Sequence, residues 1–90
     1  MATLDIESKL IDVTGEDSRL VDRLREPLSR ALQDRRTFYQ VRVESVGRVG
    51  EVLVTITGFK GHVPLFFGVE ELEPGFVSRV VRDTVSRFGL

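Results

Sequence analysis

Few residues in this 90-residue chain could do acid–base or nucleophilic chemistry. The single histidine, His62, has no second histidine and no cysteine with which to hold a metal, and no motif supplies it with a nucleophile or an orienting group. Glu70, Glu71 and Glu73 could work as a carboxylate pair only if burial kept one of them protonated, and they lie in a connector before a predicted helix. Acidic side chains at that position are explained by the helix dipole. We therefore expect no enzymatic activity, no metal and no cofactor.

Two short segments bounded by glycines, residues 47–50 and 58–61, have a superficial likeness to phosphate-binding loops. Neither opens a helix, so neither offers the converging backbone N–H groups that hold a phosphate. We interpret both segments as hairpin turns, in which glycine supplies positive φ. Phe59 lies at the tip of the second turn, where it either packs back over the sheet or serves as an anchor for a partner.

The composition, with 41% hydrophobic and 30% charged residues, is typical of a soluble globular protein rather than a disordered chain. The length allows one hydrophobic core, and the absence of cysteine excludes a disulfide framework. No apolar run is long enough to cross a membrane, and residues 1–10 lack the basic start and apolar stretch of a secretory signal. We therefore expect a cytoplasmic protein with no membrane partner and no small-molecule substrate.

Two amphipathic helices are predicted to form much of the core. In residues 18–36 apolar side chains recur three and four positions apart, which places them on one stripe of a helix. This stripe consists of Leu20, Val21, Leu24, Leu28, Ala31 and Leu32. Pro27 does not shift the phase of the stripe, so we expect one kinked helix, capped by Asp17 or Ser18. A second helix starts at Pro74 and ends near Gly89. Its apolar stripe consists of Val77, Val80, Val81, Val85 and Phe88.

Between the helices, residues 37–67 predict three antiparallel strands joined by the two glycine turns. Apolar side chains alternate along the first two of these strands and mark the face that packs on the core. These residues are Tyr39, Val41, Val43, Val52, Val54 and Ile56. Pro64 cannot donate a hydrogen bond to a strand ladder, so the third strand should lie at an edge of the sheet.

The elements together predict an α+β fold of the order α-β-β-β-α, with both amphipathic helices packed on one face of a three-stranded antiparallel meander. Residues 18–90 form this single domain. Residues 1–17 are acidic, and Leu4, Ile6 and Leu10 alternate with polar side chains, so this segment is either an additional strand or an arm. A turn is expected at residues 14–17.

Surplus aromatic side chains indicate a protein interface. Phe66 and Phe67 alternate on the predicted edge strand and cannot both enter one core. Phe38 and Tyr39 repeat this pattern at what we expect to be the opposite edge. Together with Phe59, these residues predict burial against a second chain, by strand pairing or by sheet stacking. We expect a small non-enzymatic interaction module that forms a homodimer or binds a protein partner.

The charges are separated by segment, although the net charge is only −1. Both predicted helices are basic, whereas residues 1–17 and 49–75 are acidic. The outer helix faces are therefore an alternative, anion-binding surface suited to nucleic acid. This surface consists of Arg19, Arg23, Arg30, Arg79 and Arg82. The opposing interpretation is a solvated helix surface, because acidic residues lie three or four positions away. The pairs are Arg19–Asp22, Arg23–Glu26, Arg30–Asp34 and Arg79–Asp83.

Two segments carry a resemblance to a known family. Residues 50–58, with the sequence GEVLVTITG, resemble the central strand of the YbaB/EbfC family, and residues 80–85 are similar to its final amphipathic helix. Members of that family are small dimeric nucleoid-associated proteins. The resemblance therefore implies an α-β-β-β-α fold, a dimer and binding of DNA.

Overall fold

Strands and helices alternate in the computed structural model of the chain, which describes residues 11–33, 38–46 and 50–90. The strands are β1 (Ile11–Gly15), β2 (Tyr39–Ser45), β3 (Glu51–Gly58) and β4 (Gly61–Gly68). The helices are α1 (Ser18–Leu32) and α2 (Pro74–Phe88), and a short 3-10 turn at Val69–Glu71 precedes α2. The fold is α+β in the order β-α-β-β-β-α. The predicted fold class is confirmed, and the additional N-terminal strand is present.

The first strand starts later than the alternating pattern indicated. Leu4, Ile6 and Leu10 lie outside the described residues, whereas β1 pairs with β2 from Ile11 onward. The turn predicted at residues 14–17 is wrong at its first two positions, because Thr14 and Gly15 belong to the strand. Burial of Val13 in the core explains why pairing extends this far.

The strands form one sheet in the order β1-β2-β3-β4. β1 is parallel to β2, and the other two neighbouring pairs are antiparallel. Parallel neighbours need a crossover connection, which α1 provides. The expectation that Phe38 and Tyr39 lie at a sheet edge is therefore wrong, since β1 occupies that edge and pairs Ile11 with Tyr39. β4, which contains Pro64, is an edge strand as predicted.

Both helices pack on the same face of the sheet and share one hydrophobic core with it. Fully buried side chains from α1, α2 and the central strands include Leu24, Leu28, Val41, Val54 and Val81. Burial of each such side chain contributes roughly 1.5–3 kcal/mol relative to exposure. The opposite face, hereafter the open face, is covered by no other described element. Its side chains include Asp12, Gln40, Arg42, Thr55, Thr57, His62 and Phe66.

Asp17 starts α1, one of the two caps that the sequence allowed. Its carboxylate accepts hydrogen bonds from the backbone N–H groups of Arg19 at 3.0 Å and Leu20 at 3.4 Å. These donors have no partner within the helix, so the cap stabilises the first turn. The helix continues through Pro27, which is buried. It ends at Leu32, and residues 34–36 of the predicted helix lie outside the described ranges.

Glu73 caps α2 in the same way. Its carboxylate accepts hydrogen bonds from the backbone N–H groups of Gly75 and Phe76, both at 3.0 Å. Pro74 occupies the first turn, as predicted, because that position needs no N–H donor. The cap thus fixes the residue at which α2 starts.

Gly89 ends α2 with a φ of 68°, the left-handed cap that the sequence indicated. The turn at this residue places Leu90 against the sheet, close to Gly58. Phe88 is consequently 61% exposed, and its predicted place in the core stripe is wrong. We call this end of the sheet the Leu90 end. Both helices run toward it, because each starts at the opposite end, hereafter the Gly15 end.

Candidate interaction surface

His62 lies on the open face, in a row of side chains that contains one carboxylate, that of Asp12. It is exposed and lies opposite Thr57, and the same row continues through Gln40 to Asp12. With strands about 4.8 Å apart, Asp12 lies roughly 14 Å away across the sheet. Within residues 11–33, 38–46 and 50–90, no three histidine, aspartate or glutamate side chains form a group that could hold a metal. This row therefore assembles no acid–base pair.

Two of the three connector glutamates bind backbone N–H groups. Oε1 of Glu71 accepts a hydrogen bond from the N–H of Gly68 at 2.8 Å, and Glu73 caps α2. Glu70 is exposed to solvent. The carboxylates of Glu71 and Glu73 thus have a structural role at the Gly15 end, where they satisfy donors that a helix or strand end leaves open.

The five aromatic residues predicted to form an interface are divided between core and surface. Tyr39 and Phe67 are buried in the core, so the structure does not place them on an interaction surface. Phe67 packs edge-on against the ring of Phe76, with ring centroids 6.3 Å apart. Phe38, Phe59 and Phe66 are exposed. Strand alternation accounts for the division, because neighbouring residues point to opposite faces.

Backbone pairing brings Phe66 next to Leu53 on the open face. The N–H of Val69 donates to the carbonyl of Gly50 at 2.8 Å, and hydrogen-bonded pairs alternate along an antiparallel ladder. Leu53 and Phe66 therefore form a pair without backbone hydrogen bonds, the arrangement in which opposing side chains come closest. Leu53 is half-buried, whereas Phe66 and the nearby Pro64 are exposed. We call Leu53, Pro64 and Phe66 the Phe66 patch.

The free edge of β4 is a poor template for another strand. By the same alternation, the backbone of Pro64 faces this edge, where a proline offers no N–H. The N–H of Gly68 faces the same way and is already bound by Glu71. The other two residues of β4 whose backbone faces this edge are His62 and Phe66, and each keeps an outward N–H. A partner strand could not form a continuous ladder, so contact through the open face is favoured over strand pairing.

The other half of the open face is polar. Thr14, Gln40, Arg42 and Thr55 line part of a shallow depression of about 500 Å³ over β1, β2 and β3. The guanidinium of Arg42 lies 3.5 Å from the carboxylate of Glu44, so the charges there are largely balanced. Apolar contact surface on this face is therefore confined to β3 and β4.

Further phenylalanines are exposed at the Leu90 end. Phe59, at the turn between β3 and β4, is 84% exposed, which excludes packing back over the sheet. Phe38 precedes Tyr39, whose ring lies against Gly58. Phe88 is the candidate that sequence reasoning missed, because its helical phase placed it in the core. The glycine directly after it was the available signal, since a left-handed cap redirects the chain.

Ion pairs on α1 connect acidic residues to arginines on their C-terminal side. Asp22 lies 3.9 Å from Arg25, and Glu26 lies 3.1 Å from Arg30. An acid that precedes its basic partner has the favoured orientation on a helix. The pairs of reversed order that the sequence suggested do not form among the described residues, namely Arg19–Asp22, Arg23–Glu26 and Arg79–Asp83.

Arg19, Arg23 and Arg79 consequently have no ion-pair partner in the part of the chain that the structure describes. Asp34, the suggested partner of Arg30, lies outside that part. Nη2 of Arg82 donates to the carbonyl oxygen of Arg30 at 3.3 Å, which brings the exposed sides of the two helices together. We call the set of five residues the arginine strip: Arg19, Arg23, Arg30, Arg79 and Arg82.

No protein-family model, curated protein or solved structure matches this chain. The resemblance to the YbaB/EbfC family therefore stays a prediction. Neither α1 nor α2 is long and apolar enough to cross a membrane.

Proposed function

We propose that the chain is a cytoplasmic, non-enzymatic interaction module that forms a homodimer through its open face, with the Phe66 patch at the centre. The observation that carries this proposal is the 63% exposure of Phe66 on a sheet face that no described element covers. Removing apolar surface from water is favourable by about 25 cal/mol for each Å². Exposed apolar side chains grouped on a rigid element are typical of an interaction site.

A second copy of the chain is the partner that fits this surface best. An apolar patch on a two-fold axis meets itself, so a homodimer needs no separate complementary surface. The polar rows beside the patch carry both signs of charge, with Asp12, Arg42 and Glu44, and can pair across such an axis. A small domain also gains stability when it buries further surface. The resemblance to a dimeric family supports the same assignment.

Sedimentation analysis of Phe66→Asp and Phe59→Asp tests this proposal. Both variants replace an exposed phenylalanine by aspartate, so they match in chemistry and differ in position. We expect a dimer for the wild type and for Phe59→Asp. Phe66→Asp should be a folded monomer, with a dimer Kd raised roughly hundredfold, because a carboxylate would be buried without a partner. A monomeric wild type at high concentration, or a Phe66→Asp variant that stays dimeric, contradicts the proposal.

The arginine strip supports a second candidate function, the binding of nucleic acid. The specific observation is that Arg19, Arg23 and Arg79 have no ion-pair partner among the residues that the structure describes. Residues seven apart lie within about 20° on a helix, so Arg23 and Arg30 share one side of α1, and the strip extends about 16 Å from Arg19 to Arg30. No exposed large apolar side chain of the described residues lies on α1. Phosphate contacts need no apolar anchor, whereas a protein interface does.

A further inference from the structure

The Leu90 end combines exposed phenylalanines with basic side chains from two separate segments. Phe59 and Lys60 form the tip of the turn between β3 and β4. Arg87 and Phe88 end α2, where both are exposed. The rings of Phe59 and Phe88 are thus each next in sequence to a cation. Neither ring contributes to the core or to the Phe66 patch.

Contacts around the last residue hold these two segments next to each other. The hydroxyl of Tyr39 donates to the carbonyl oxygen of Leu90 at 2.8 Å, and the ring of Tyr39 lies against Gly58, directly before Phe59. Leu90 packs against the core, which fixes the position of Phe88 two residues earlier. The two segments that carry the exposed rings therefore meet at the same end of the sheet.

The two ends of the sheet differ in charge. Acidic side chains concentrate at the Gly15 end and include Glu16, Asp17, Glu44, Glu51, Glu70, Glu71 and Glu73. At the Leu90 end, the charged residues next in sequence to the exposed rings, among the residues that the structure describes, are Lys60 and Arg87. Asp83 lies one turn earlier on α2, and Asp12 lies near this end on β1. Among the described residues the Leu90 end is therefore less negative than the Gly15 end, so it is the end that an anionic surface repels least.

We infer that the Leu90 end binds the surface of an anionic membrane, with Phe59 and Phe88 in the headgroup region and Lys60 and Arg87 against the lipid phosphates and carboxylates. Aromatic rings are favoured at the membrane–water interface, and each cation near an anionic leaflet adds attraction. The chain then lies on the membrane without crossing it. The expectation of no membrane partner rested on the absence of long apolar runs, which does not bear on such a surface.

A membrane suits this end better than a protein or a nucleic acid. The two rings project from a hairpin tip and from a helix end, so they do not line a groove that a peptide could fill. Two cations are few for a nucleic-acid backbone, whose binding depends on many phosphate contacts. Binding to an anionic membrane surface, in contrast, combines buried apolar area with electrostatic attraction to the lipids.

Co-sedimentation of the full chain with lipid vesicles tests this inference. The vesicles contain phosphatidylcholine alone or with about 30% phosphatidylserine, the lipid that makes a leaflet anionic. We expect binding to the anionic vesicles at low salt and little binding to the neutral ones. Phe59→Ala/Phe88→Ala should weaken binding about tenfold, because both rings leave the interface. Val69→Ala/Phe76→Ala, which truncates two exposed apolar side chains at the Gly15 end, is the matched control, and it should bind within about twofold of the wild type.

The cationic contribution has its own pair of variants. Lys60→Glu should weaken binding to the anionic vesicles about fivefold or more, whereas Arg25→Glu, an equal change of charge on α1, should not. The inference is overturned if the wild type and the double phenylalanine variant bind the anionic vesicles equally. It is also overturned if the folded wild type does not bind anionic vesicles at low salt. The inference is also overturned if single-stranded polythymidylate binds more tightly than the anionic vesicles and Phe59→Ala/Phe88→Ala loses this binding. The rings would then stack on bases.

Discussion

The hydroxyl of Tyr39 donates a hydrogen bond to the carbonyl oxygen of Leu90 at 2.8 Å, which joins the first residue of β2 to the residue that follows the cap of α2. The side chain of Tyr39 is fully buried, and its ring lies against the backbone of Gly58. A tyrosine suits this position because its ring fills the core while its oxygen finds a partner. The bond thus connects β2, β3 and the end of α2 at one end of the molecule.

Replacing Tyr39 by phenylalanine tests how much this hydrogen bond contributes to the free energy of unfolding. We expect Tyr39→Phe to lower the free energy of unfolding by about 1 kcal/mol, because the ring is kept and one hydrogen bond is lost. Tyr39→Ala should cost about 3–5 kcal/mol, since it also leaves a cavity. Urea denaturation followed by circular dichroism measures both changes. Equal losses in the two variants would show that the hydroxyl, not the ring, dominates, contrary to this expectation.

Gly15 lies where β1 closely approaches both β2 and α1. A Cβ at this position would overlap the carbonyl oxygen of Val43 and lie 2.8 Å from Cγ2 of Val21. A backbone contact is not relieved by a change of rotamer, so we expect Gly15→Ala to lower the free energy of unfolding by about 2–3 kcal/mol. Gly75→Ala is the control, because the atoms nearest to its Cβ belong to the side-chain carboxylate of Glu73 rather than to the backbone. A control variant as unstable as Gly15→Ala contradicts this account.

Helical periodicity and strand alternation were sufficient to predict the elements that depend only on residues nearby in the sequence. The stripe that contains Leu24 and Leu28 needed only helical periodicity, and the Tyr39–Val41–Val43 face needed only strand alternation. The parallel pairing of β1 with β2 could not be predicted in this way, because it joins strands separated by a helix. Gly15 shows the same limit. Its type indicated a turn, whereas the structure explains it by tertiary packing.

The candidate surfaces were predictable to a similar extent. Alternation required that one of Phe66 and Phe67 face outward, and only the packing of both helices on one sheet face decides which. Helical phase placed Phe88 in the core, but Leu90 takes that contact after the turn at Gly89. Residue spacing likewise allowed several ion pairs for each arginine of α1, and side-chain geometry selects among them.

The free edge of β4 provides a test of how the fold avoids strand pairing. Pro64→Val adds an outward N–H between those of His62 and Phe66, and it supplies a side chain that favours strands. We expect this variant to form assemblies larger than the proposed dimer through its edge, at concentrations where the wild type does not, as measured by light scattering. Thr57→Val is the control, because it also introduces a valine but lies on the inner strand β3 and adds no backbone N–H group. A Pro64→Val variant that scatters like this control would show that the proline does not protect the edge.

Charge reversals inside and outside the arginine strip distinguish nucleic-acid binding from attraction to overall charge. The double variant Arg23→Glu/Arg79→Glu changes two residues of the strip, and Arg25→Glu/Arg42→Glu makes the same change of net charge elsewhere on exposed positions. We expect the strip variant to weaken binding of a labelled DNA duplex at least about tenfold at low salt, because phosphate contacts are lost. The control variant should bind within about threefold of the wild type. Fluorescence anisotropy measures all three proteins under one condition.

The salt dependence of binding to the DNA duplex indicates how many arginines contact phosphate. Each phosphate neutralised on duplex DNA contributes a slope of about −0.9 in log affinity against log salt, so five engaged arginines give roughly −4 to −5. The strip variant should reduce the magnitude of this slope by about two, and the control should retain it. Glu26→Gln should strengthen binding, because it frees Arg30 from its ion pair. A shallow slope in the wild type, or equal slopes in both double variants, leaves the dimer through the Phe66 patch as the function and excludes the strip as a nucleic-acid site.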